Sequence, residues 1–202
     1  MNRTIYLNGE FLGSDFAKVS LFDRGLLFGD GIYEVTAVVG GRLLDFALHI
    51  DRLFRSADDI GLPLSISKPE WRELHERLVC SNGLTEGIVY VQVTRGAAER
   101  EFTFGQSVTP LIFGFTQEKH LCTGDRLQKG ISTELVDDLR WKRRDIKSTS
   151  LLAQVLAKQH ASLKGAAEAL LHENGIITEG GSTSVFAVDR DSVMCACLVN
   201  CR

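Results

Sequence analysis

Lys147 is the residue whose surroundings point most directly to chemistry. It sits in RRDIKSTSLL, Arg143 to Leu152, where Arg143, Arg144 and Asp145 lead into Ile146 and Lys147, and Ser148, Thr149 and Ser150 follow. Neighbouring cations disfavour a further positive charge and so favour the neutral amine, the form that attacks a carbonyl carbon. The competing reading is a solvated basic loop, the usual place for a lysine. Other candidates stand lower on residue type alone. Glu179, just after a turn at Asn174-Gly175, reads as readily as an exposed turn acid. Arg52 lies off an apolar helical stripe that His49 borders, so periodicity places Arg52 in solvent. Tyr33 follows a glycine loop and has a buried, hydrogen-bonded core tyrosine as its alternative. Arg100 stands between Glu99 and Glu101 and reads equally well as a loop cation paired with one of them.

The elements that must position these residues alternate between strand and helix. IYLNGEFL predicts a hairpin on Asn8-Gly9, a pair suited to the positive φ of a type I′ turn, and IYEVTAVVGGRLLDF repeats the device on Gly40-Gly41. The glycines of DRGLLFGDG predict an irregular loop between them. Phe46, Ile50, Leu53, Phe54, Ala57 and Ile60 recur at helical spacing, and PEWRELHERLVCSNG gives a second helix ending at Asn82-Gly83. IVYVQVTRG and TPLIFGFT read as buried strands, with GAAEREFTFGQSV as a loop. The pattern then restarts: ISTELV as a strand, a helix from Ser150 to about Leu163 with Leu152, Val155, Leu156 and Leu163 on its apolar stripe, a third hairpin on Asn174-Gly175, and a strand from about Thr183 to Val188. The expected class is α/β in two domains: residues 1–118, a linker at 119–130, and residues 131–202.

Composition narrows the function classes. With 44% hydrophobic and 24% charged residues the chain is globular, and a net charge of -3 offers nothing to nucleic acid or an anionic membrane. No apolar run is long enough for a signal peptide core or a bilayer span, which predicts a cytoplasmic protein. Five cysteines, with Cys80 and Cys122 isolated, suggest reduced thiols. Cys195, Cys197 and Cys201 lack the paired spacing of a zinc site, so no metal is expected.

Four stretches in order carry a resemblance: FGDGIYE at Phe28 to Glu34, HIDRLFRSA at His49 to Ala57, DIKS at Asp145 to Ser148, and ITEGGSTSVF at Ile177 to Phe186. Together they resemble the fold-type IV pyridoxal phosphate enzymes, which include D-amino acid transaminases, branched-chain aminotransferases and aminodeoxychorismate lyases. The resemblance implies a small N-terminal α/β domain followed by a cofactor-binding domain, and pyridoxal 5'-phosphate as cofactor. Lys147 would be the Schiff-base lysine and proton shuttle, Glu179 the partner of the pyridine nitrogen, and Arg52 the grip on the cofactor phosphate. Ser182 would donate near the ring, and Tyr33 would face cofactor and substrate. Arg100, in the loop after VTRG, resembles the arginine that binds the substrate carboxylate in D-amino acid transaminases, although Phe102 stands where those enzymes carry a histidine. The implied reaction passes an amino group from a D-amino acid such as D-alanine to a 2-oxo acid such as 2-oxoglutarate, in a homodimer by family habit.

The alternatives within the family are a branched-chain aminotransferase or a lyase. The resemblance runs to about Asp189. SVMCACLVNCR matches no family continuation, so a truncated C-terminal domain is expected. A non-catalytic remnant, with an unpaired sheet edge and exposed core, is then the reading from another class.

Overall fold

A computed structural model describes residues 3–105, 108–121, 128–189 and 192–195. Cys122, Cys197 and Cys201 lie outside these residues. The chain divides into two compact units, Met1–Leu121 with Ile146–Thr149, and Cys122–Asp145 with Ser150–Arg202. The four residues around Lys147 thus pack with the first unit.

That first unit is a six-stranded antiparallel sheet with helices against one face. Strands β1 (Thr4–Leu7), β2 (Glu10–Gly13), β3 (Gly31–Val39), β4 (Arg42–Leu43), β5 (Glu86–Thr94) and β6 (Leu111–Glu118) are ordered β2-β1-β6-β5-β3-β4. Asn8 and Gly9 both take positive φ, 47° and 98°, as the type I′ reading of the first hairpin requires. Successive side chains of a strand face opposite ways, so Ile32, Glu34, Thr36 and Val38 of β3 all point into the core, and Tyr33 points to the other face.

Helix α1 (Arg24–Phe28) corrects the loop expected for DRGLLFGDG. The Asp23 side chain accepts the Gly25 N–H at 2.9 Å to cap its start, and Gly29, at φ 68°, closes its end. A capping acid and a left-handed glycine are helix boundary signals, and the density of glycines hid them.

Helix α2 (Phe46–Asp59) buries Phe46, Ile50, Leu53, Ser56 and Ala57, a stripe with helical spacing. Helix α3 (Lys68–Ser81) starts in a capping box between Ser67 and Glu70 and buries Trp71, Leu74, His75, Leu78 and Val79. These faces meet Ile32, Val38, Val89, Val91 and Val93 of the sheet in one core, which Ile146 joins.

Among the described residues no regular strand pairs with the first half of β3 on the outer edge, because β4 reaches only Val38 and Val39. The Lys147 segment fills that place. The Tyr33 N–H donates to the Lys147 carbonyl at 3.0 Å, and the Thr149 N–H donates to the Gly31 carbonyl at 3.0 Å, around an antiparallel bridge of Ile32 with Ser148.

In the second unit, β7 (Thr133–Asp137) runs parallel to β8 (Glu168–Glu173), and β9 (Ile176–Gly180) returns from β8 through Asn174 and Gly175, both at positive φ. A parallel pair needs a crossover, which α4 (Leu152–Leu163) supplies. Its packing corrects the expected stripe: Ala157 and Ala161 are the buried positions, whereas Leu152, Val155, Leu156 and Leu163 are exposed. Alanines admit a close approach to the small residues Ala169 and Ala166, and the leucines face away. β10 (Phe186–Asp189), starting later than the expected strand, pairs antiparallel with β11 (Ser192–Cys195). No helix among the described residues is long and apolar enough to cross a membrane.

Candidate active site

In the first unit the Lys147 amine donates to the Tyr33 hydroxyl at 3.2 Å and lies 4.3 Å from the centre of that ring. Three features fix the lysine's backbone there: the bonds to β3 already described, the buried Ser56 hydroxyl, which accepts the Lys147 N–H at 3.3 Å, and Ile146 anchored in the core. The Thr149 hydroxyl adds a bond to the Gly29 carbonyl at 3.0 Å. A long, flexible side chain therefore starts from a rigid base, which is what a reacting amine needs.

One residue after Tyr33, Glu34 faces the core and is fully buried. Arg52 donates Nε–H and Nη2–H to its two oxygens at 2.5 and 2.8 Å, and His49 Nδ1–H donates at 2.9 Å. Burial raises the Glu34 pKa, but the bonds from Arg52 and His49 outweigh it and hold the carboxyl below its usual range. Arg52 is thus drawn toward the protein by a buried acid, although its side chain keeps 39% of its surface exposed. The sequence signal for this acid was available: alternation along β3 puts position 34 inward, and a charge at an inward strand position is rare unless paired.

Arg100 lies on the connection between β5 and β6. Among the described residues it forms no ion pair with Glu99 or Glu101; its guanidinium carbon lies 5.4 Å from the Phe28 ring centre and 6.0 Å from that of Phe102. The cations proposed to act on Lys147 have carboxylates of their own in the second unit. Arg143 pairs with Asp145 at 2.8 Å and Arg144 with Glu173 at 2.9 Å.

Also in the second unit, Glu179 on β9 is held by Arg140, which bridges to the buried Asp138 at 2.8 Å. Burial raises the Asp138 pKa, yet the hydrogen bonds from Arg140 and Thr178 bring it down to about 2. Sequence reading missed both Asp138 and Arg140, because they lie in a segment without periodicity. Ser182 accepts from Lys158 Nζ at 2.8 Å and donates to Glu168 at 3.2 Å. The described residues contain no cluster of metal ligands.

Comparison with known proteins gives this geometry a context. The Amino-transferase class IV family matches residues 31–201, past the point where the motif resemblance stops. D-alanine aminotransferase of Staphylococcus aureus (strain MSSA476) is 44% identical over 191 residues, 94% of this chain and 67% of that protein. D-alanine aminotransferase of Bacillus licheniformis is 38% identical over 189 residues, 94% and 66% of the two chains. The chain therefore spans about two thirds of the length of these relatives. Among solved structures, the branched-chain amino acid aminotransferase of Escherichia coli superposes with a TM-score of 0.85 at 21% identity, over 96% of this chain and 67% of the other. The 4-amino-4-deoxychorismate lyase of Pseudomonas aeruginosa gives 0.76 at 23%, over 94% and 68%. Identities that low establish the fold and leave the reaction to the curated relatives. Their similarity over nearly the whole chain makes it a member of the class IV aminotransferases, the fold-type IV group.

Proposed function

We propose that this chain carries out pyridoxal phosphate-dependent transfer of an amino group from a D-amino acid, with D-alanine as the representative donor and 2-oxoglutarate as the representative acceptor. The observation that carries the reading is the Lys147 amine, held against Tyr33 by a backbone stitched into β3. The D-amino acid preference comes from the D-alanine aminotransferases that resemble the chain at 38 to 44% identity.

The residues present fit such a cofactor. Lys147 offers a half-buried amine, Arg52 a guanidinium with an outer edge in solvent suited to a phosphate, and Glu179 a carboxylate suited to a ring nitrogen. Bound, the cofactor supplies an aldehyde carbon to carry the amino group and a ring to accept the electron pair left at the substrate's α-carbon. Lys147 would hold the cofactor through Nζ, which would also carry the substrate's α-proton, and the Tyr33 hydroxyl would keep that nitrogen in place. Glu34 fixes the angle at which the Arg52 guanidinium is held for an anion. Ser182 remains a donor in this reading, in competition with Glu168 for its hydroxyl proton. Arg100 binds the substrate carboxylate. Phe16, Leu21, Phe22 and Leu26, all exposed, support a homodimer.

The test is absorbance of the purified chain with pyridoxal phosphate, followed by borohydride reduction and peptide mass mapping, then turnover of D-alanine against L-alanine. A visible band with the adduct on Lys147, and turnover of the D isomer, is the expected result. Lys147→Ala should lose the mapped adduct and lower turnover by at least about 10²–10⁴-fold, the contribution of a positioned acid–base group. Adducts scattered over surface lysines, with no turnover, would replace this reading by a non-catalytic protein.

A further inference from the structure

Two buried arginines outside the Lys147 site have no part in the chemistry above. Arg24, at the start of α1, and Arg95, just after β5, are 3% and 4% exposed and share one carboxylate oxygen: Asp30 accepts Arg24 Nε–H at 2.8 Å and Arg95 Nε–H at 2.9 Å. One acid cannot satisfy two guanidiniums, and the remaining donors go to backbone carbonyls. Arg95 donates to Gly61 at 3.0 Å and Ile60 at 2.9 Å. Arg24 donates to Glu101 at 2.5 Å and Phe102 at 3.3 Å.

Those last two carbonyls belong to the connection between β5 and β6, a long loop of the kind that moves unless it is tied down. Its first part is tied by backbone bonds: the Arg24 N–H donates to Gly96 at 2.8 Å and the Ala98 N–H to Phe22 at 3.2 Å. From residue 99 to residue 104 the attachments described are Arg24 and a set of rings. Phe104 lies 3.7 Å from the Arg95 guanidinium and 5.6 Å from that of Arg24. Phe28, on the same helix as Arg24, lies 4.7 Å from the Arg24 guanidinium, 5.4 Å from that of Arg100 and 5.4 Å from the Phe102 ring.

Arg100 is therefore referenced to α1 twice. Its backbone is fixed through the carbonyl of the next residue, Glu101, and its guanidinium rests on Phe28. Resting on rings leaves the planar donors of a guanidinium available to a carboxylate, whereas an ion pair with Glu99 or Glu101 would occupy them. Phe102, where D-amino acid transaminases carry a histidine, contributes a carbonyl to Arg24 and a ring beside Arg100. We propose that Arg24, braced by Asp30 and Arg95, is a positioning residue that holds the 99–104 loop so that Arg100 meets the substrate carboxylate. This rests on the reading of Arg100 given above.

The residue type matters to the argument. A lysine at position 24 keeps the charge for Asp30 but has no fork to span two carbonyls while holding the acid. Hydrogen–deuterium exchange on the full chain reads the consequence. In Arg24→Lys, amides 99–104 should exchange about tenfold faster, as expected for loss of bonds to a charged donor, with β3 and β5 unchanged. In the same variant, KM for D-alanine should rise about tenfold with kcat nearly kept, and Arg24→Lys with Arg100→Ala should be no worse than Arg100→Ala alone. Should Arg24→Lys fail to fold, Phe104→Leu, at a half-exposed position, should speed exchange in the same six residues to a smaller degree.

Unchanged exchange at 99–104, or exchange raised equally throughout the first unit, overturns the proposal. If Arg100→Ala raises KM but Arg24→Lys does not, the positioning role falls and the carboxylate role of Arg100 stands. If Arg100→Ala itself leaves KM unchanged, the reading of Arg100 falls, and the proposal falls with it.

Discussion

The two units of this chain hold themselves together by different means. The first packs Trp71, Ile32, Ile50, Leu53 and Leu78 into one core, together with the valines of β5. The second has a core of Ala157, Ala161, Ala169 and Leu171, with Val136 and Ala166 at its margin. Among its described residues, ion pairs accompany this smaller core: Asp138 with Arg140 and Arg144, Arg140 with Glu179, Glu173 with Arg144, and Lys158 with Glu168. The contrast extends to the candidate residues. Lys147 has its backbone fixed by the unit with the large core. Glu179 is held in a network of cations and acids.

The largest effects should come from cutting into the two cores. Trp71→Ala removes a fully buried ring at the centre of the first and should cost about 3–5 kcal/mol. Leu171→Ala removes the largest side chain of the second, and should cost about 2 kcal/mol, the low end for such truncations, because a small core is easier to collapse. Denaturant unfolding followed by hydrogen exchange, unit by unit, would measure both. Equal costs for the two variants would mean that the second core is more tightly packed than its residues imply.

Acid should separate the units next. His75 is buried on α3, donates Nδ1–H to the Trp71 carbonyl at 2.7 Å, and finds no partner among the described residues for Nε2. Burial disfavours its charged form and pushes its pKa down from 6.5 to about 4. Between those values the unfolded chain binds a proton that the folded one refuses, so stability falls as pH falls through that window. The full loss is about 3 kcal/mol, from 1.36 kcal/mol per unit of pKa. Asp138 responds in the same direction but in a lower window: its folded pKa of about 2 contributes stability that is fully present above its ordinary 3.8 and is lost as pH falls from there toward 2. The first unit should therefore weaken from pH 6.5 downward while the Asp138 network holds to about pH 4. In Trp141→Phe the remaining Trp71 reports on the first unit alone, and a further His75→Leu change should flatten its response. A flat response before that change would show that His75 does not control it.

How legible these features were depended on periodicity. The hairpins on Asn8-Gly9, Gly40-Gly41 and Asn174-Gly175, and the helices around Leu53 and Leu78, announce themselves through turn chemistry and apolar spacing. The candidate site was legible where a family motif points to a residue, as with Lys147, and dark where a side chain meets a partner far along the chain. Glu34 with Arg52, Arg24 with Glu101, and Arg140 with Glu179 are all such pairs. The stripe on α4 failed for a different reason. Helical spacing says which residues share a face, but the choice of face belongs to the surface it packs against, and β8 offers Ala169, which suits alanines.

That inverted stripe gives the smallest expected effect and a direct check on the contrast between the units. Leu156 is 61% exposed and Leu152 is 70% exposed, so Leu156→Ser removes little buried surface. Its cost should stay within about 0.5 kcal/mol, as for ordinary surface changes, and serine at a leucine position should improve solubility by shrinking an exposed apolar face. The buried face should answer differently. Ala161→Leu inserts three carbons against the tightly apposed β8 sheet and should cost about 1–3 kcal/mol through overpacking. Thermal unfolding of the two variants side by side decides the matter. A large cost for Leu156→Ser with a small one for Ala161→Leu would reverse the faces of α4, and the second unit would then carry a leucine core comparable in kind to the first.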